Sequence, residues 1–206
     1  MTTEYLVWID DDFFFNESTD LVWMLKVLES TDLDLVGGKA GSSRWGYTSI
    51  IDRLKGGLEG DCLYRSFGSR GRVEGFPTCQ VADVIQNFYM ARTLSLRHVG
   101  FDGIFQRISH KEFFLDAIGK IKIGYCSNIS IGHNHSCLAT VQQLNQYSKY
   151  REPNDAEINF IDQSWFYRSN LKCISEKKMY GTNKFFNLTH AATTTAKPNN
   201  LWNVKN

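Results

Sequence analysis

Three consecutive aspartates, Asp10, Asp11 and Asp12, follow the apolar run Tyr5-Leu6-Val7-Trp8-Ile9 and precede Phe13-Phe14-Phe15. Adjacent carboxylates cannot all stay buried and unpaired, because taking even one charge out of water costs several kcal/mol. Like charges this close also oppose one another's ionisation unless a cation neutralises them. A strand ending in such a cluster offers hard oxygen ligands of the kind Mg²⁺ or Mn²⁺ takes. A solvated acidic turn is the alternative. Two further groups have chemistry to offer. Glu112 and Asp116 stand four residues apart in His110-Lys111-Glu112-Phe113-Phe114-Leu115-Asp116, which sets both carboxylates on one side of a helix. His133 follows a glycine at the end of an expected strand, where a neutral imidazole can ligate a metal, although a surface or hydrogen-bonded histidine is the commoner case. His135 competes with it, lying on the same face if the segment is extended.

The elements that must hold these groups are read from periodicity. Tyr5 to Ile9, rich in β-branched and aromatic residues, predicts a buried strand. Glu17-Ser18-Thr19-Asp20 supplies helix-start chemistry for a helix carrying Leu21, Met24, Leu25 and Leu28. Leu33 to Val36 predicts a short strand closed by Gly37-Gly38, either a tight turn or a close backbone approach. Tyr47 to Ile51 and Cys62 to Phe67 read as strands joined by a turn-prone segment, and Gly68 to Gly75 as a loop ended by Phe76-Pro77. Between Gln80 and Leu94 periodicity does not separate strand from helix. Asp83, Asn87 and Arg92 are polar points in that apolar segment, either lining a pocket or satisfying buried backbone groups. A helix is expected over His110 to Ile118 and a strand over Lys120 to Cys126, with the densest part closing at Ser130-Ile131-Gly132-His133. Further on, a helix is expected over Val141 to Tyr150 and a strand or short helix over Trp165 to Cys173. The alternation predicts an α/β layered domain over residues 1–186, with residues 187–206 a disordered tail.

The chain has 206 residues, 42% hydrophobic and 22% charged, which suits one globular domain with a sizeable core. A net charge of +1 gives no electrostatic drive toward nucleic acid. No run of about 18 apolar residues encodes a membrane span, and no basic-then-apolar leader is visible. The first strand begins a few residues after Met1, so the chain is expected to be the later part of a longer protein. Five cysteines without a CxxC pair argue against a zinc ribbon, and the odd number leaves at least one thiol free or paired to another chain. Sequons at Asn16, Asn128, Asn134 and Asn187 permit a secretory-pathway protein.

An ordered series of motifs resembles the β-1,4-N-acetylgalactosaminyltransferases, the family that includes ganglioside-synthesising enzymes. The series comprises Val7-Trp8-Ile9-Asp10-Asp11-Asp12-Phe13, Leu35-Val36-Gly37-Gly38, Gly75-Phe76-Pro77-Thr78-Cys79 and Asp83-Val84-Ile85-Gln86-Asn87-Phe88-Tyr89-Met90-Ala91-Arg92-Thr93. It continues with Val99-Gly100-Phe101-Asp102, Ser109-His110-Lys111-Glu112-Phe113-Phe114-Leu115-Asp116 and Ile131-Gly132-His133. The resemblance runs from about Glu4 to about Cys173. It implies a GT-A fold, a Rossmann-like α/β sandwich, here expected to lack the first strands of the nucleotide-binding half.

The resemblance also implies roles. The donor is UDP-N-acetylgalactosamine, the acceptor a galactose-bearing glycan, a glycosphingolipid among the options, and the reaction an inverting β-1,4 transfer in the Golgi lumen. Mn²⁺ or Mg²⁺ would be held by Asp12 and Asp10, with His133 a further ligand, while Asp10 or Asp11 faces the nucleotide. Gly37 and Gly38 would lie against the donor. Inverting transfer needs a general base for the acceptor hydroxyl, and Glu112 is the first candidate with Asp116 the second. A structural Asp116 with an exposed Glu112 is the plain alternative. At the level of the whole chain, the competing class is a noncatalytic carbohydrate-binding or scaffold module on the same fold. A metal-dependent phosphotransfer or hydrolase domain is weaker, since no GxxxxGK[ST] loop is present.

Overall fold

A computed structural model describes residues 2–41, 48–56, 60–103, 109–134, 169–177 and 183–187. The chain divides into two compact units, Met1–Ile50 with Gly68–Ala139, and Ile51–Phe67 with Thr140–Asn206. The first unit is built from β1 (Tyr5–Trp8), β2 (Phe13–Phe14), α1 (Leu21–Ser30) and β3 (Leu35–Ala40), while β4 (Ser49–Leu54) and β5 (Asp61–Phe67) belong to a second sheet. The first unit continues with β6 (Gly71–Val73), β7 (Phe76–Ala82), β8 (Tyr89–Arg92), α2 (Thr93–Val99), α3 (Ser109–Ala117) and β9 (Ile123–His133).

Among the described residues the first unit holds a seven-stranded mixed sheet in the order β1-β8-β3-β9-β7-β6, with β2 paired to β9. β1 and β3 both run antiparallel to β8 between them, and β9 runs parallel to β3. β1, β3 and β9 therefore deliver their carboxyl ends to one edge of the sheet. In α/β sheets that edge is where ligands bind.

The predicted first helix forms as α1. Asp20 caps it, its carboxylate accepting the Trp23 N–H at 2.8 Å, and Met24, Val27 and Leu28 bury one face into the main core with Leu33, Val36, Phe88, Met90 and Ile129. Arg92 fixes the far end of this layer. Its guanidinium donates to the Leu28 carbonyl at 2.6 Å, the Leu33 carbonyl at 3.3 Å and the Tyr5 hydroxyl at 3.2 Å. Of the two readings open for Arg92, the structure selects satisfaction of backbone groups. Arg92→Ala is expected to lower the unfolding free energy by about 3 kcal/mol, since it strips a charged donor from part-buried carbonyls. Urea titration reads this out, and a loss under about 1 kcal/mol would contradict the role.

The segment that periodicity left undecided becomes the end of β7, the isolated pairing of Val84 with Ser49, and the interior strand β8. Asp83 is ion-paired to Arg70, with Arg70 Nη2 at 2.6 Å from its Oδ2, and so has a structural partner. Of the strand expected over Lys120 to Cys126, β9 takes up only Ile123 onward, and it then runs on to His133. Between the pairs Gly37↔Tyr125 and Lys39↔Ser130 it bulges away from β3. Cys79 and Cys126, directly opposite in the β7–β9 ladder, form a disulfide.

The second unit pairs β5 with β10 (Leu171–Lys177) in parallel and β10 with β11 (Asn183–Asn187) antiparallel, giving the order β11-β10-β5-β4. Arg53 Nε donates to Asp61 Oδ2 at 2.6 Å, anchoring the start of β5. Cys62 is disulfide-bonded, and Cys173 is its register partner across the β5–β10 pair. The expected helix over Val141 to Tyr150, the tail beyond Asn187 and His135 lie outside the described residues.

Candidate functional site

The aspartate triplet is a tight turn. The Phe13 N–H donates to the Asp10 carbonyl at 3.2 Å, so Asp11 and Asp12 occupy the turn's two central positions. The turn disperses the three charges: Asp11 is exposed, while Asp10 and Asp12 are half-buried and each has a partner. Asp10 Oδ1 accepts from Asn87 Nδ2 at 2.9 Å. Asp12 Oδ2 lies 3.0 Å from His133 Nε2, and these two side chains keep 24% and 20% of their exposure. Repulsion within the triplet is therefore relieved by geometry as well as by partners.

What brings Asp12 to His133 is the short strand β2. Phe13 pairs with His133 and Phe14 with Gly132, and the Asn134 N–H donates to the Asp12 carbonyl at 2.9 Å. The Phe13 ring meets the imidazole edge-on at 4.9 Å, and Phe14 lies over Gly132, where any side chain would overlap its ring. Gly41, just past β3, closes the other side: its φ is +65°, and a Cβ there would come within 3.1 Å of His133 Cβ and 3.6 Å of Nδ1. Gly41→Ala is expected to destabilise the fold by about 1–2 kcal/mol through left-handed strain and to displace the imidazole. Thermal unfolding and the His133 ring resonances check both; an unmoved ring would remove Gly41 from the site.

The second carboxylate pair sits on α3. Glu112 is buried at 2% exposure, and its Oε2 accepts the Asp102 N–H at 3.4 Å, a long bond. The plain alternative of a Glu112 exposed on the first turn does not hold: Phe113 and Phe114 draw that side of the helix into the core. Asp116, one turn on, is half-buried. Stacked rings connect α3 to β1: Trp8 lies 4.6 Å from Phe101, and Phe101 4.7 Å from Phe113. Tyr89 packs beside them, 6.4 Å from Trp8 and 6.3 Å from Phe113, and its hydroxyl pKa is raised by burial and then by the nearby Asp10 charge.

Gly37 and Gly38 are interior to β3, not a turn that ends it. A Cβ on Gly37 would meet the Ile85 side chain and the Phe88 carbonyl oxygen at 2.6 Å, and one on Gly38 the Ile129 carbonyl oxygen at 2.7 Å. The space their missing side chains leave is filled by neighbouring protein, including the β9 bulge, so they serve strand packing.

Asp12 and His133 offer one carboxylate oxygen and one imidazole nitrogen. Asp10 is turned to Asn87, and no group of three His, Cys, Asp or Glu side chains among the described residues gathers closely enough to hold a metal ion by itself. A two-donor set suits a cation that takes its remaining ligands from phosphate oxygens and water, as Mg²⁺ usually does.

No protein-family model matches the chain. Individual proteins do. It is 35% identical over 179 residues to Beta-1,4 N-acetylgalactosaminyltransferase 2 of Mus musculus, which covers 84% of this chain and 34% of that protein. Beta-1,4 N-acetylgalactosaminyltransferase 1 of Mus musculus is 35% identical over 187 residues, 85% of this chain and 35% of the relative. The corresponding Homo sapiens protein is 34% identical over 188 residues, with 86% and 35% covered. The chain belongs to the β-1,4 N-acetylgalactosaminyltransferase family. It spans about a third of the length of these curated relatives. Family membership agrees with the mixed α/β sheet, and together with the Cys79–Cys126 disulfide it points to the secretory pathway. No helix among the described residues is long and apolar enough to cross a membrane.

Gly41 and Phe13 had no signal in sequence beyond their residue types, since both act through a ring more than 90 positions away or across a sheet edge. Asn87 was visible as a polar point, but its partner Asp10 was not.

Proposed function

We propose that this chain forms the catalytic region of a GT-A-type inverting transferase. It moves N-acetylgalactosamine from UDP-N-acetylgalactosamine to a galactose-bearing glycan in β-1,4 linkage, in the Golgi lumen. The observation that supports this most directly is the Asp12–His133 pair, 3.0 Å apart at the edge where β1, β3 and β9 all end. In this reading Asp12 and His133 hold Mn²⁺ or Mg²⁺, and Asp10 and Asp11 face the nucleotide. When bound, the cation screens the diphosphate and stabilises the departing nucleotide.

The chain's own groups do the rest. Asp12 and His133 present a carboxylate oxygen and a ring nitrogen from positions fixed by the β2–β9 pairing, Phe13 and Gly41. Glu112 takes the acceptor hydroxyl's proton, with Asp116 as its competitor. The ring stack from Trp8 through Phe101 to Phe113 gives α3 a rigid seat relative to the strand that carries the aspartates.

The test is calorimetric titration with UDP, with and without Mn²⁺, followed by a transfer assay with UDP-N-acetylgalactosamine and a galactose-terminated acceptor. Metal-dependent UDP binding and transfer are expected. Glycan binding with no nucleotide binding would replace the transferase with a noncatalytic carbohydrate module.

A further inference from the structure

Asp10 is held from outside its own turn. The register that pairs Trp8 with Tyr89, counted on by two residues, sets Asp10 level with Asn87 at the sheet edge. There Asn87 Nδ2 donates to Asp10 Oδ1 at 2.9 Å. The other end of the same amide is the informative part. Asn87 Oδ1 is buried and has no hydrogen-bond partner among the described residues, and the fully buried Tyr89 hydroxyl two residues on has none among them either. Buried polar atoms are nearly always paired, and exceptions call for an explanation. Rotating the amide would not help, because it would aim an oxygen at the Asp10 carboxylate. An apolar side chain would fill this place without an orphaned oxygen. The local rule is broken in favour of one contact, the bond to Asp10, and such breaks collect at functional sites.

We propose that Asn87 is a positioning residue that fixes the Asp10 carboxylate in the orientation from which it meets the sugar nucleotide. It acts through Asp10 and touches neither the acceptor nor the transferred proton. The inference rests on the transferase reading for its consequence, but its structural half stands apart from it.

The experiment uses Asn87→Ala and Asn87→Asp in the full chain, each also combined with Asp10→Ala. Crystal structures of wild type and Asn87→Ala report the Asp10 rotamer directly: a carboxylate turned away from its wild-type place is expected, and an unchanged one overturns the inference whatever the nucleotide results. UDP titration with Mn²⁺ then gives the functional half. A donor affinity about tenfold weaker in Asn87→Ala is expected, with the turnover number nearly unchanged and a larger loss in Asn87→Asp. In the Asp10→Ala background the Asn87 substitutions are expected to cost nothing further, whereas a merely structural role would give additive losses. Additivity overturns the inference. A wild-type chain that binds no UDP with Mn²⁺ present overturns the transferase reading instead, and the rotamer comparison still decides the positioning role.

Discussion

Asp12→Ala is expected to abolish Mn²⁺-dependent UDP binding and to lower transfer by about a thousandfold, the scale seen when one preorganised electrostatic partner is removed. The substitution is clean for a structural reason. The bond that ties this turn to β9 is accepted by the Asp12 backbone carbonyl from Asn134, so alanine keeps it and loses only the carboxylate beside His133. Asp11→Ala is the proper comparison, since it removes the same charge from the same turn at an exposed position. It is expected to weaken UDP binding by less than about tenfold, as exposed charges do. Equal losses in the two variants would mean that net negative charge matters and the Asp12–His133 pair does not. Calorimetry with and without Mn²⁺ separates the outcomes.

Glu112→Gln is expected to leave UDP affinity unchanged and to reduce transfer by about 10²- to 10⁴-fold, the range attributed to a general base. Glutamine keeps the shape and an oxygen that can still accept the Asp102 N–H, so the buried position survives while its capacity to take a proton is lost. Thermal unfolding of the variant should match wild type within a few degrees. Near-normal transfer by a folded Glu112→Gln protein would hand the role to Asp116, and Asp116→Asn would then show the large loss. Single-turnover measurements distinguish a lost base from slow product release.

Groups whose chemistry is local were legible in the sequence. Tyr5 to Ile9 read as a buried strand, which forms over Tyr5–Trp8 but half-buried at the sheet edge; Asp20 with Met24 and Leu28 read as a capped amphipathic helix, and His110 to Ile118 as a helix displaced by one residue from Ser109–Ala117. Asp12 and His133 could be named as candidates from their types and settings. What brings them together could not, because the pairing depends on a two-residue strand, Phe13–Phe14, too short to leave a periodic trace. β8 was hidden for another reason. Tyr89, Met90 and Ala91 are all buried because the strand lies inside the sheet, between β1 and β3, and a continuous apolar run carries no alternation to read. Gly37 and Gly38 looked like punctuation, yet they sit inside a strand where the Ile85 side chain and the Ile129 backbone press close. A glycine in sequence signals that something approaches closely, without saying whether it is substrate or protein.

The link between Cys79 and Cys126 also bears on how the protein must be handled. The two cysteines are 47 residues apart, and closing a loop of that length removes about 4 kcal/mol of chain entropy from the unfolded state. The loop it ties off contains Asn87 and the whole of α3, while the acidic turn and His133 lie outside it. Material expressed with its thiols reduced forfeits that constraint on the helix carrying Glu112, so oxidative refolding, or export to an oxidising compartment, has to precede any measurement of turnover.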